Sequence, residues 1–352
     1  MNDVKAITAT VVFEASAVNR DENIANNIQS LKKLRREDGV YTFFSRSSMR
    51  HHIFNALVRK HGWKPAEVTK DQDVIQFDIK EESILTSEEL DFFGYMGTFK
   101  EDKSSKKKNN EEKGVSLSRK APVGLTKAVS MERWEGDMAF YANHDLVQRA
   151  REKGEEANPN PFSKEEHFSF YKYSVVVDLE NIGKDVVFIT EKEKEKLKKL
   201  FGVDKLFGVD IKEGEYPFQK GKILIEKSEK AYKISVLLNE KEKQKRLGQF
   251  FDVIMNGFEI HSSTESWCVA PVFIIIAFTR LPVTLFNPYV RLDRGKIDVE
   301  TISQIAKGNT NIKDYRMWGI PSILKGSSEK LCTGLNDLNE WLREVIGGEE
   351  NS

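Results

Sequence analysis

Arg46 and Arg50 stand four residues apart in the stretch 41–62, YTFFSRSSMRHHIFNALVRKHG. The stretch reads as a strand end, a tight loop and a helix, with Ser47 or Ser48 as the N-terminal cap and Gly62 as a left-handed stop. Met49, Ile53, Ala56 and Leu57 recur at helical spacing and would lay one face on a sheet. Cations at a helix N-terminus meet its partial positive charge and are locally unfavourable. An anion held by the free backbone N–H groups and both guanidinium groups removes the conflict, and phosphate suits that role. The competing reading is that both arginines extend into water or pair with acids elsewhere. The stretch alone leaves the two readings open.

Catalytic chemistry finds less support. G-x-S-x-G, H-E-x-x-H and G-x-G-x-x-G are all missing from the chain. Gly214 and Gly221-Lys222 imitate a phosphate loop, but the spacing is too long and Ile223 stands where a magnesium-binding hydroxyl belongs. His51 and His52 are adjacent, so on a helix their rings diverge by about 100°. His61, His144, His167 and His261 have no ligand spacing, and neither a metal nor a cofactor is expected. Asp137 and Asp145 lie near basic residues and are the candidates for acid/base work in a nuclease; the simpler reading is surface carboxylates balancing local charge. In 117–141, Arg119, Lys120, Lys127 and Arg133 interleave with Met131, Trp134, Phe140 and Tyr141. Cations mixed with flat or flexible apolar groups suit a single-stranded nucleic acid, which offers phosphates to pair and bases to stack. An amphipathic strand pair with its aromatics in the core would give the same pattern.

The whole-chain charge is balanced, 55 basic against 55 acidic side chains over 352 residues, which excludes a uniformly basic coat. Local balance differs: residues 31–61 carry eight Lys or Arg against two acids, and residues 103–133 carry nine against three. Two basic zones in a neutral protein suggest a defined track for a polyanion. Cys268 and Cys332 are too few for a disulfide framework or a cysteine zinc site. The start, MNDVKAITATVVF, lacks the pattern of a signal peptide. The longest apolar run, 269–278, is too short to span a bilayer and contains Pro271. A soluble, cytoplasmic chain without a membrane partner is expected.

Residues 6–17 predict a central strand, running into a polar loop from Asn19 and Arg20 through Asn26 and Asn27. Residues 74–79 and 86–91 predict a short strand and a helical turn. Residues 101–114, EDKSSKKKNNEEKG, contain no apolar side chain and are expected to be mobile. The polar, turn-rich stretch 143–167 is expected to project. Strands follow at 168–179 and 269–279, a hairpin at 223–238, and helices at 191–201, 241–256, 299–306 and 335–346. The order predicts an α+β fold, helices on one face of a mostly antiparallel sheet, compatible with a ferredoxin-like or RRM-like core. The expected organisation is a palm from 1–79 and 168–290, an insertion at 80–167, and a helical C-terminal extension at 291–352.

Taken in order, ATVVFEASAVNRDENIANNIQSLKKLRR, SRSSMRHHIFNAL, FFGYMG and SRKAPVGLTKAVSMERW resemble the CRISPR-associated DevR family, and within it the backbone subunit of type I-B Cascade. The resemblance runs through most of residues 1–290. It implies an RRM-like palm with inserted finger and thumb elements, copies stacked in a helical filament along a CRISPR RNA, other Cascade subunits as neighbours, and a target DNA strand paired to the guide. It matches Asn19, Arg20, Arg46, Ser48 and Arg50 to guide-backbone contacts, with His51 beside them. It sets Lys127, Ser130, Met131 and Arg133 along the guide, with Lys120 just upstream. Residues 143–167 fall where a thumb projects, offering Phe162, Lys164 and His167 to bases or phosphates. The lysine-rich loop 101–114 has no counterpart in that pattern. A guide-dependent RNA endonuclease of the type III backbone kind and a nucleic-acid-binding autoregulator remain the alternatives.

Overall fold

A computed structural model describes residues 3–21, 27–71, 74–99, 115–202, 204–262 and 265–347. Glu22, Asn23 and Asn26 of the polar loop, and the lysine-rich stretch 101–114, lie outside the described residues. From the N-terminus, β1 (Ala6–Ser16) leads to the hairpin β2 (Lys33–Arg36) and β3 (Gly39–Phe44), then α1 (Arg46–His61). There follow α2 (Glu88–Phe93), β4 (Val123–Leu125), β5 (Ala128–Ser130), β6 (Met138–Tyr141), α3 (His144–Glu152) and β7 (Phe162–Glu165). The long β8 (Phe168–Asp178) precedes β9 (Lys184–Thr190), α4 (Glu191–Phe201), β10 (Gly214–Phe218), β11 (Gly221–Lys227) and β12 (Ala231–Leu238). The chain ends through α5 (Glu240–Asn256), β13 (Phe273–Thr279), α6 (Val299–Gly308), β14 (Ile312–Gly319) and α7 (Leu335–Gly347). The result is a mixed α+β architecture whose sheets are mostly antiparallel, as expected.

β1 is central. It is buried along its length except at Glu14, and it pairs antiparallel with β8 on one side and β13 on the other. The eight-stranded main sheet runs β14-β13-β1-β8-β5-β3-β2, with β4 also paired to β8. Strand alternation sends Ile7, Ala9, Val11 and Phe13 to one face, where Met49, Ile53 and Leu57 of α1 and Leu247, Phe250 and Ile254 of α5 pack on them. The opposite face takes Val12, Phe273 and Ile275, covered by Phe286, Val290 and Ile302 from the C-terminal part.

The hairpin of β11 and β12 departs from the expectation of one sheet. It belongs to a separate sheet, β9-β12-β11-β10, which shares a second core with Leu90, Tyr95, Val115 and Leu117. Conversely β4 and β5, inside the stretch read as an insertion, hydrogen-bond into the main sheet. Residues 143–167 are polar yet ordered: α3 buries Val147, and β7 lies between β6 and the strand Ile28–Gln29.

Candidate nucleic-acid interface

The start of α1 is built by tertiary contacts. Its cap is Ser45, not Ser47 or Ser48: the Ser45 hydroxyl accepts from the Ser48 N–H at 3.2 Å. The Ser45 N–H donates to Asn19 Oδ1 at 2.7 Å, so the end of β1 is tied to the head of the helix. Asn19 therefore positions the site. Gly62 closes the helix at φ 69°, a left-handed conformation that costs a side-chain-bearing residue free energy. The first turn holds no acid, while Arg59, Lys60 and His61 sit at the favourable C-terminal end.

The two arginines separate. Arg46 is exposed and has no ion-pair partner among the described residues. Arg50 pairs with Glu89 at 3.1 Å and lies 4.9 Å over the Phe93 ring, so pairing with an acid describes Arg50 but not Arg46. His51 is exposed, its Nε2 3.0 Å from the Asn55 amide.

Pairing of Phe43 with Val129 and of Phe44 with Ala128 brings the two basic zones of the sequence side by side. Lys127 is exposed, with its ammonium 4.7 Å over the Phe43 ring. Lys120 is exposed nearby in sequence, and Met131 is half-buried against the face that carries Phe273. Arg133 lies along Gly39 and is 3.8 Å from Asp38. Phe43 escaped the sequence reading, although the alternation of Tyr41 and Phe43 against Thr42 and Phe44 signals two aromatic rings on one strand face.

Four candidates are occupied internally. Ser130 is buried, its hydroxyl accepting from the Thr42 N–H and donating to the Glu132 carbonyl. Arg20 donates to the Glu165 carbonyl at 2.6 Å and pairs with Glu166 at 3.3 Å, which neutralises it within the protein. Arg119 is buried against Asp91, four carbonyls and Asp185, and does not belong to an exposed cation series. His167 is 5 % exposed and shares a 2.7 Å hydrogen bond with Thr42, so it is not a wedge available to bases. Phe162 stacks on Tyr141 (5.3 Å, 13°), and Lys164 lies over both rings. These two residues line a cleft of about 330 Å³ with Arg20, Gln29 and Glu265. Asp145 pairs with Arg149 at 2.6 Å in α3, and Asp137 is exposed.

Burial holds the His167 imidazole below its ordinary value of 6.5. The fold therefore disfavours the charged ring; its contribution is full above about pH 6.5 and is lost as pH falls through the folded value. Wild-type protein should lose more thermal stability between about pH 7 and about pH 5 than His167→Gln does, measured by paired melts. Equal losses would remove His167 from the acid response.

The fold is α+β, and exposed cations stand at one helix head and on the adjoining strand pair. Residues 7–301 match the model of a family described as CRISPR-associated negative auto-regulator DevR/Csa2. The chain belongs to this DevR family. A CRISPR-associated protein Cas7/Cst2/DevR of Myxococcus xanthus (strain DK1622) is 27 % identical over 176 residues, 46 % of this chain and 53 % of that protein. The match thus spans about half the length of that relative. A solved chain of a CRISPR RNA-guided surveillance complex shares the fold at TM-score 0.50 and 8 % identity, covering 97 % of this chain and 99 % of its own. A chain from a pre-nicking CRISPR RNA-guided surveillance complex gives TM-score 0.48 at 10 % identity, covering 97 % and 100 %. Among the described residues no helix is long and apolar enough to cross a membrane.

Proposed function

We propose that this chain is a non-catalytic, CRISPR RNA-binding backbone subunit that polymerises along the guide in a type I-B Cascade surveillance complex. Its partners would be the guide, further copies of itself, other Cascade subunits and the target DNA strand, in the cytoplasm. Family membership supports the setting. The observation that carries the RNA role is Arg46, exposed and unpaired among the described residues at a helix head without acids, with Lys127 displayed over Phe43 on the adjoining strand. The order β13-β1-β8-β5, with α1 and α5 on one face, supports an RRM-like palm. Backbone contacts carry no base information, so binding should be nearly indifferent to sequence.

The test is to co-express the chain with a CRISPR array and ask whether RNA of defined length copurifies. On purified protein, log affinity should fall linearly with log salt, by roughly 0.7 per phosphate neutralised on a single strand. Salt-insensitive binding, or strict preference for one short sequence, would overturn the reading. A magnesium- or manganese-dependent cut of a guide-paired RNA, lost in Asp137→Ala or Asp145→Ala, would favour the endonuclease. Tighter binding to duplex promoter DNA than to RNA would favour the autoregulator that the family description names.

A further inference from the structure

We propose that Arg36 and Arg291 complete a single-stranded nucleic-acid lane across the sheet face opposite α1 and α5, and that Lys172 pins the strap presenting Arg291. This rests on the RNA-binding role proposed above and adds a wall to it from the C-terminal part of the chain. Val129 pairs with both Phe43 and Lys172, and Lys172 pairs with Val12, so these side chains form one row on the face that carries Val12. At one end of the row, Lys127 covers Phe43 and the Arg36 guanidinium lies 5.1 Å over Tyr41.

At the other end the strap is fixed. The Lys172 ammonium donates to the Asn287 and Val290 carbonyls at 2.6 and 2.7 Å. The Asn287 amide donates to Ser174 Oγ at 2.9 Å, and the Phe286 and Val290 side chains are buried. Arg291 follows the pinned Val290 directly, is exposed, and is braced by its Nε–H to the Pro288 carbonyl at 2.8 Å. Tyr289, 45 % exposed, stands two residues before it.

Burial first, and then like-charge repulsion from Arg291 and Arg36, lowers Lys172 to about 8. Among the described residues Arg36, Lys127, Lys172 and Arg291 form no salt bridge, although the chain carries as many acids as bases. Asp38 is the carboxylate alongside; it accepts from the Tyr41 hydroxyl, lies 3.8 Å from Arg133, and attracts Arg36 without pairing with it. Cations spread over a strand face with rings beneath them match phosphates repeating along a strand whose bases stack. A single small anion would need convergent donors instead.

The test titrates fluorescent oligouridine into the full chain and into Arg36→Gln/Arg291→Gln over a salt series. The double variant should keep the wild-type melting transition and bind about tenfold or more weakly at low salt, with the log–log salt slope reduced by about 1.4 for two lost phosphates. Lys172→Met should make residues 281–292 sensitive to protease while the main transition persists. Wild-type affinity and slope in the double variant, alongside weakened binding by Arg46→Glu, would overturn the lane and leave the proposed function standing. No binding by the wild type would overturn both. Competition by poly-glutamate as effective as oligouridine would assign the lane to an acidic peptide and overturn the nucleic-acid reading of it.

Discussion

Replacing Asp91 by alanine should destabilise the protein by about 3–5 kcal/mol, the cost of stranding buried charge when one partner is removed. Asp91 is fully buried and accepts from Arg119 at 3.1 Å, from Arg246 at 3.0 Å and from the Gly183 N–H at 2.8 Å. Arg246 is itself fully buried and keeps Glu242 at 3.0 Å, and Arg119 keeps Asp185 only at 3.9 Å, so both guanidinium groups and the Gly183 turn lose their shared partner. The cluster joins the two cores: Leu90 belongs to the second and Phe92 to the first, with Asp91 between them on α2. Backbone fit reinforces it, since a Cβ on Gly94 (φ 67°) would lie 2.3 Å from the Arg119 carbonyl oxygen. Urea unfolding measures the effect. Asp91→Asn, which retains an acceptor and the shape, should fall between wild type and alanine; a loss below about 1 kcal/mol for alanine would mean that the guanidinium groups find other partners.

What could be read from the sequence divides along physical lines. β1, α4 and α5 announce themselves because local signals agree with tertiary demand. β1 is an apolar β-rich run, α4 opens on the Thr190–Glu193 capping box, and α5 buries Leu247, Phe250, Phe251, Ile254 and Met255 at helical spacing before Gly257. The cap of α1 lies two or three residues before the serines that the sequence suggests because Ser45, Ser47 and Ser48 are chemically equivalent, and Asn19, 26 residues upstream, selects among them. Arg119 and His167 look like surface groups because their type is polar; their burial depends on carbonyls and hydroxyls from distant segments, which no local pattern carries. The hairpin of β11 and β12 was legible as a hairpin, but its sheet was not: short apolar strands of either sheet have the same composition, and the partner β9 decides. Within the site, helical spacing exposed Arg46, while the placing of Lys127 over Phe43, on the strand that also carries Tyr41 under Arg36, needed strand pairing across more than eighty residues.

Arg46→Glu combined with Lys127→Glu should lower RNA affinity by about two orders of magnitude or more, since each charge-assisted hydrogen bond contributes about 1.5–3 kcal/mol and reversal adds repulsion. The fold should survive. Arg46 is exposed, the first turn of α1 has no acid, and a carboxylate there gains about 0.3–1 kcal/mol from the helix dipole. Arg50→Glu is the informative contrast: it would set a second carboxylate against Glu89, now 3.1 Å from the guanidinium, and should lower the melting temperature before any RNA is added. The measurements are melting curves and oligonucleotide titrations on the same three proteins. A double variant that melts like wild type and binds no RNA identifies an anion site. A double variant that still binds at wild-type strength removes Arg46 and Lys127 from the interface, and an early melt would show instead that these two side chains support the fold.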